Sequence, residues 1–243
     1  MDINISGAGV INSGEYDEIR VSGSARLEGP VRCGSFACSG AVRGDAALTC
    51  GGSARVSGSA KLNGAVKAAA LYVSGAFSCE GAEIANECQL SGSAGVGGRL
   101  VGGDIEAFGV LRVEDQIEAN AFHLSGTLEC GGLLNAETVL IRLGKENSAV
   151  QAIGGTSVTV SPHPGHSLRR RFRFFFCRKK RGLLTVRESV EADDVSLENT
   201  LCPEVTGARV KIGAGCEIGL VRYSESCEIH PDAVVRRQEK TYV

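Results

Sequence analysis

The chain has 243 residues, room for one large domain or two small ones. Its 33 glycines are about twice the usual ~7%, Trp is absent and aromatics are only 5%. A hydrophobic content of 43% with mean hydropathy +0.03 excludes a disordered chain and a bundle of membrane helices. The net charge of −2 supplies no global field for nucleic acid. Eight of the 26 basic residues lie within 169–181, so the other 18 face 28 acidic ones. The opening Met1-Asp2-Ile3-Asn4-Ile5 is acidic and alternating, unlike a secretion signal. The ten cysteines are therefore read as reduced thiols of a cytoplasmic protein.

From the start of the chain a dipeptide keeps time. Ser-Gly recurs at Ser6, Ser22, Ser39, Ser57, Ser74, Ser91 and Ser125, and Phe108-Gly109 fills the missing slot. The spacings are 16, 17, 18, 17, 17, 17 and 17 residues. Stacking the turns on this beat produces columns. Immediately before each Ser come Val21, Cys38, Val56, Val73, Leu90, Ala107 and Leu124. Two residues earlier stand Ile19, Phe36, Ala54, Leu71, Cys88, Ile105 and Phe122, with a mostly polar column between. Apolar–polar–apolar is a strand turning alternate residues inward.

Two further apolar pairs follow in every turn. One begins Ala25, Val42, Ala60, Phe77, Ala94. The other begins Val31, Leu48, Val66, Glu83, Leu100, in which Glu83 is read as marking a local shift of register that turns Ile84 inward. Between pairs stand Gly, Asn and Asp, which tolerate the φ > 0 of sharp corners. Three strands and three corners per turn define an all-β, single-stranded triangular β-solenoid with turns of about 17 residues. At ~4.8 Å per rung, about eight turns make a rod of roughly 38 Å. The six cysteines before residue 140 all fall in inward columns, where a thiol acts as a small hydrophobe. Zinc or redox chemistry would favour CxxC pairs, and there are none.

The beat is lost after Leu143. The expected organisation is a regular solenoid over 1–143, an irregular segment over 144–185, resumed solenoid over 186–235 and a frayed tail over 236–243. Within the irregular segment, residues 150–160 still alternate like strands, and 161–182 form an insert opening on two prolines. The insert holds Arg169, Arg170, Arg171, Phe172, Arg173, Phe174, Phe175, Phe176, Arg178, Lys179, Lys180 and Arg181. Such a run suits an anionic membrane surface or a protein partner, each cation contributing about 1 kcal/mol near anionic lipid. Packing of the phenylalanines against the solenoid is the bland reading, and nucleic acid is disfavoured.

Catalytic patterns are scarce. No phosphate-binding glycine loop occurs, and His123, His163, His166 and His230 show no base-and-nucleophile arrangement. His163 and His166 have no evident third metal ligand. The sequence therefore points to no catalytic, cofactor-binding or metal residues and to a protein that is not an enzyme. A β-helix carbohydrate enzyme would need clustered charged residues on one face. A left-handed acyltransferase would need a strict 18-residue turn and a catalytic His.

The glycine-rich Ser-Gly turns over residues 3–143 resemble those of the bactofilins, polymer-forming bacterial cytoskeletal proteins. The stretch Val210-Lys211-Ile212-Gly213-Ala214-Gly215-Cys216-Glu217-Ile218, with Val221 and Tyr223, and the preceding residues 191–200 resemble the longer bactofilin-like proteins of Gram-positive bacteria. The resemblance implies a right-handed β-helix that assembles end to end into nucleotide-independent filaments, scaffolding cell-shape, envelope or motility machinery, often at the membrane. The chain's partner would then be itself. Ile3, Ile5 and Ile11 in the first turn carry no obvious cap and are the candidate assembly end. A monomeric or heteromeric adaptor is the competing reading.

Overall fold

A computed structural model describes residues 1–163 and 182–241. Every regular element among them is a β-strand, and successive strands pair in parallel one turn apart. The protein is an all-β parallel β-solenoid with turns of about 17 residues. It divides into two compact units, Met1–Phe122 and His123–Val243.

In the first unit the sequence columns become stacked rungs. Ile19 pairs with Phe36, Phe36 with Ala54, Ala54 with Leu71, Leu71 with Cys88, and Cys88 with Ile105. Each is at most 1% exposed. All five cysteines of this unit are buried, and neighbouring thiols meet where columns coincide: the Sγ atoms of Cys33 and Cys50 are 3.2 Å apart. Alternation along each strand is therefore a direct record of inside and outside.

The Ser-Gly corner has a different cause from the one its composition suggests. Only Gly92, Gly109 and Gly126 in this column adopt positive φ. What Gly23, Gly40, Gly58 and Gly75 share is closeness to the turn beneath. A Cβ on any of them would lie 1.9–2.0 Å from the carbonyl oxygen of the preceding corner glycine. That same oxygen accepts a hydrogen bond from the residue after the next corner, as Ala41 N–H donates to Gly23 at 2.9 Å and Ser59 N–H to Gly40 at 2.9 Å. The ladder thus runs through the bend without a gap, and a side chain has no room.

Glu83 sits on the outside, as expected from its charge. Ala82, not Glu83, pairs with both Val66 and Leu100, and Ile84 pairs with Ala68. Ala82 and Ile84 are each 2% exposed. The turn has shifted by one residue, which flips every side chain to the opposite face. Glu83 then contacts Lys67 one rung below at 2.5 Å.

In the second unit the solenoid style continues where the beat is lost. Ser148–Pro162 forms a strand whose Val158 and Val160 pair with Val139 and Ile141. On its other side Val160 pairs with Leu197, so the ladder passes from 162 to the turn beginning at Gly182. The corner stack persists: a Cβ on Gly144 would meet the Gly126 oxygen at 3.0 Å, and one on Gly182 the Gly144 oxygen at 2.6 Å. Residues 144–163, assigned from sequence to an irregular segment, are thus a full turn. The next turns add Thr200–Ile212, Glu217–Ile229 and Val234–Lys240. The expected frayed tail from 236 is in strand as far as Lys240, with Gln238 paired to Val221. Among the described residues here the polar side chains of Thr127, Ser148 and Thr200 are buried. The Ser148 hydroxyl accepts the Leu128 N–H at 3.0 Å, and Thr200 donates to the Glu198 carbonyl at 3.0 Å.

Candidate functional site

The first turn is built on the strands Ile3–Ile5 and Ala8–Val21. Ile3 pairs with Ile19, Ile5 with Val21 and Ile11 with Leu27, and the Asp17 N–H donates to the Met1 carbonyl at 3.0 Å. Among the described residues no strand pairs with the outer edge of residues 3–12. Gly7 shows the same thing locally: nothing lies within 4 Å of the position its Cβ would take. Parallel backbone with one side unpaired, between apolar side chains, can accept another strand.

Of the three candidate end residues, Ile3 and Ile5 are half-buried on this edge and Ile11 is fully buried. Ile5 folds across the end so that its Cδ1 and Cγ2 are 3.0 Å from where a Cβ of Gly9 would stand. Ile11 belongs to the core beneath. Tyr16 completes the surface and was not singled out from the sequence. It pairs with Cys33, and its hydroxyl donates to the Asn12 carbonyl at 2.9 Å. Tyr16 falls in the column of Cys33, Cys50 and Ala68, and only the pairing shows that this position lies at the outer edge.

The outward columns carry most of the polar chemistry. Arg55 lies over the Tyr72 ring at 5.2 Å, Tyr72 donates to Glu87 at 2.8 Å, and Gln89 donates to the same carboxylate at 2.7 Å. The Glu87 hydrogen bond raises the Tyr72 pKa. In the second unit Arg209 grips both oxygens of Asp194, at 2.5 and 2.6 Å, and reaches Glu225 at 2.8 Å. That guanidinium holds the Asp194 carboxyl below its ordinary value. The Arg209 pairs join stacked turns and are exposed, so each is worth little, whereas the Tyr72, Glu87 and Gln89 contacts are part-buried.

The buried thiols have the opposite character. Burial pushes Cys79 and Cys88 up to about 12, and Cys202 and Cys216 up to about 11. Such groups stay protonated at neutral pH and act as packing. Among the described residues no group of three or more His, Cys, Asp or Glu is placed to hold a metal ion. His123 is half-buried, and the His230 ring accepts the Asp232 N–H at 3.0 Å. His166 and the basic aromatic residues at 169–181 lie outside the described residues. No helix among the described residues is long and apolar enough to cross a membrane.

Comparison with known proteins places this chain beside two proteins of Bacillus subtilis (strain 168). It is 38% identical over 109 residues to Uncharacterized protein YhbF, covering 45% of this chain and 42% of that protein. It is 32% identical over 119 residues to Uncharacterized protein YhbE, covering 45% of this chain and 43% of that protein. The match thus spans less than half the length of these curated relatives. No family model matches the chain, and no solved structure matches it to significance.

Proposed function

We propose that this protein is a non-enzymatic structural scaffold that assembles with copies of itself, end to end and without nucleotide, into filaments of the bactofilin kind. The observation that carries the reading is the first turn. Among the described residues no strand pairs with its outer backbone edge, which is flanked by the half-buried Ile3, Ile5 and Tyr16. A second copy adding a parallel strand there would continue a ladder whose rungs the rest of the chain already repeats. The Ser-Gly resemblance to bactofilins supports the same reading. A cytoplasmic location with a basic, membrane-facing run at 169–181 belongs to the proposal and rests on sequence alone.

Negative-stain electron microscopy across concentration and salt, without nucleotide, tests it. Filaments or long oligomers are expected from the wild type. Ile3→Lys and Ile5→Lys would place a charge in the contact and should abolish them while β-rich circular dichroism is retained. Dispersed short particles in every condition, or unchanged assembly in both variants, would overturn the end-to-end reading and leave a monomeric adaptor.

A further inference from the structure

One face of the unit Met1–Phe122 displays three outward columns, on strands that begin just after each Ser-Gly corner. Nearest the corner the column is small: Ser24, Ala41, Ser59, Ala76 and Ser93. In the middle column Arg26 pairs directly with Arg43 and Arg43 with Lys61, and Arg112 follows three rungs on. The third column holds Glu28, Asp45, Glu80 and Glu114, with Asn63 and Gly97 on the two remaining rungs. Two shallow grooves run along this face, one lined by Arg26, Arg43 and Lys61 and the next by Lys61, Glu80, Arg112 and Glu114.

The middle column is electrostatically unusual for this molecule. Like charges directly opposite one another at ~4.8 Å destabilise a ladder. Elsewhere directly stacked charges are mostly of opposite sign, as Lys67 with Glu83, Asp194 with Arg209 and Lys211 with Glu228, and Glu87 with Asp104 is the exception. Arg26, Arg43 and Lys61 are exposed and make no ion pair or hydrogen bond with any described residue. One column over, about 7 Å away along the strand, Glu28 and Asp45 stand beside the arginines and Asn63 beside Lys61, which leaves the cations unmatched.

We propose that this face is a lateral interface between two copies of the chain, laid side by side with their first turns pointing the same way. A two-fold axis parallel to the solenoid axis reverses the order of the columns. The cation of each copy then meets an acid of the other on the rungs of Arg26 with Glu28, Arg43 with Asp45 and Arg112 with Glu114, while Lys61 meets Asn63 with Glu80 one rung on. An antiparallel pair would set cations on cations. The flanks permit the approach, because the small column of one copy meets the corner of Gly29, Ala46 and Gly64 in the other. A polyanion is a poorer occupant, since the acidic column repels it along the whole groove. A face roughly 30 Å by 14 Å buries about 800 Å² over two copies, which makes the pair weak, reversible and salt-sensitive.

The test is sedimentation velocity in the Ile5→Lys background, so that end contacts contribute nothing, with circular dichroism as the folding control. At low salt a single doubling of mass is expected, lost at roughly 0.5 M salt. Continued growth beyond a doubling would instead fault the end-to-end reading. Reversing the cations (Arg26→Glu, Arg43→Glu, Lys61→Glu) or the acids (Glu28→Lys, Asp45→Lys, Glu80→Lys) should each give a monomer. Mixed one to one, the two variants should pair again, at least tenfold more tightly than the parent. Gold particles on an N-terminal tag should mark the same end of both copies. Pairing that survives either reversal, a mixture that stays monomeric, or labels at opposite ends would overturn the proposal. So would a background chain that stays monomeric and binds inorganic polyphosphate.

Discussion

At the scale of single residues, the corner glycines and the buried thiols carry the sharpest consequences. Gly40→Ala puts a methyl group 1.9 Å from the Gly23 carbonyl, an approach that only backbone movement can relieve. A loss of about 2 kcal/mol or more is expected in urea unfolding. Gly7→Ala, with open space around it, should stay within about 0.5 kcal/mol of wild type. Equal effects at the two positions would show that local φ rather than contact between turns selects glycine. For the thiols the sign follows from burial. Cys79 and Cys88 hold their protons to about pH 12 in the folded chain, whereas in the unfolded chain they ionise near 8.5. Folding is unaffected by them below that pH and weakens as pH rises from about 9 towards 12, by up to about 1.4 kcal/mol per thiol per pH unit. Urea midpoints measured against pH should fall over this window, and less steeply in Cys79→Ala.

At the scale of a strand or turn, the shift at Glu83 separates what touches the core from what does not. The Lys67–Glu83 pair is exposed on both sides, so Glu83→Gln should change stability by less than about 1 kcal/mol. Ile84→Ala, at 2% exposure, should cost about 3 kcal/mol. Thermal unfolding of both variants checks the register. The columns up to Val73 were legible because each inward position admits only an apolar side chain. Glu83 was visible as a break in its column, and the compensating Ala82 required the pairing to be seen. Tyr16 was missed because its column of small residues says nothing about where stacking stops.

At the scale of the molecule, the turns vary in length while the ladder does not. Leu143 pairs with Pro162, nineteen residues on, and Leu197 with Ile212, fifteen residues on. Corners absorb these differences, so a search for a fixed beat loses the second unit although its strands stack as regularly as the first. Because Val160 pairs directly with Leu197, replacing 164–181 by a short Gly-Ser linker should leave the β-sheet circular dichroism and the melting temperature nearly unchanged. The same replacement should remove flotation with anionic liposomes if the basic run binds them. Retained flotation would place lipid binding elsewhere.

The amino-acid sequence by itself determined the solenoid, its three-sided turn and the inward columns of residues 3–143, because a narrow core repeats one demand at every rung: an apolar group of fitting volume. Only the tertiary structure decided why the corners are glycine, which isoleucines reach the outer edge and which charges go unmatched. Each of those depends on a neighbour in the adjacent turn, some seventeen residues away, where a shift of one residue exchanges inside for outside.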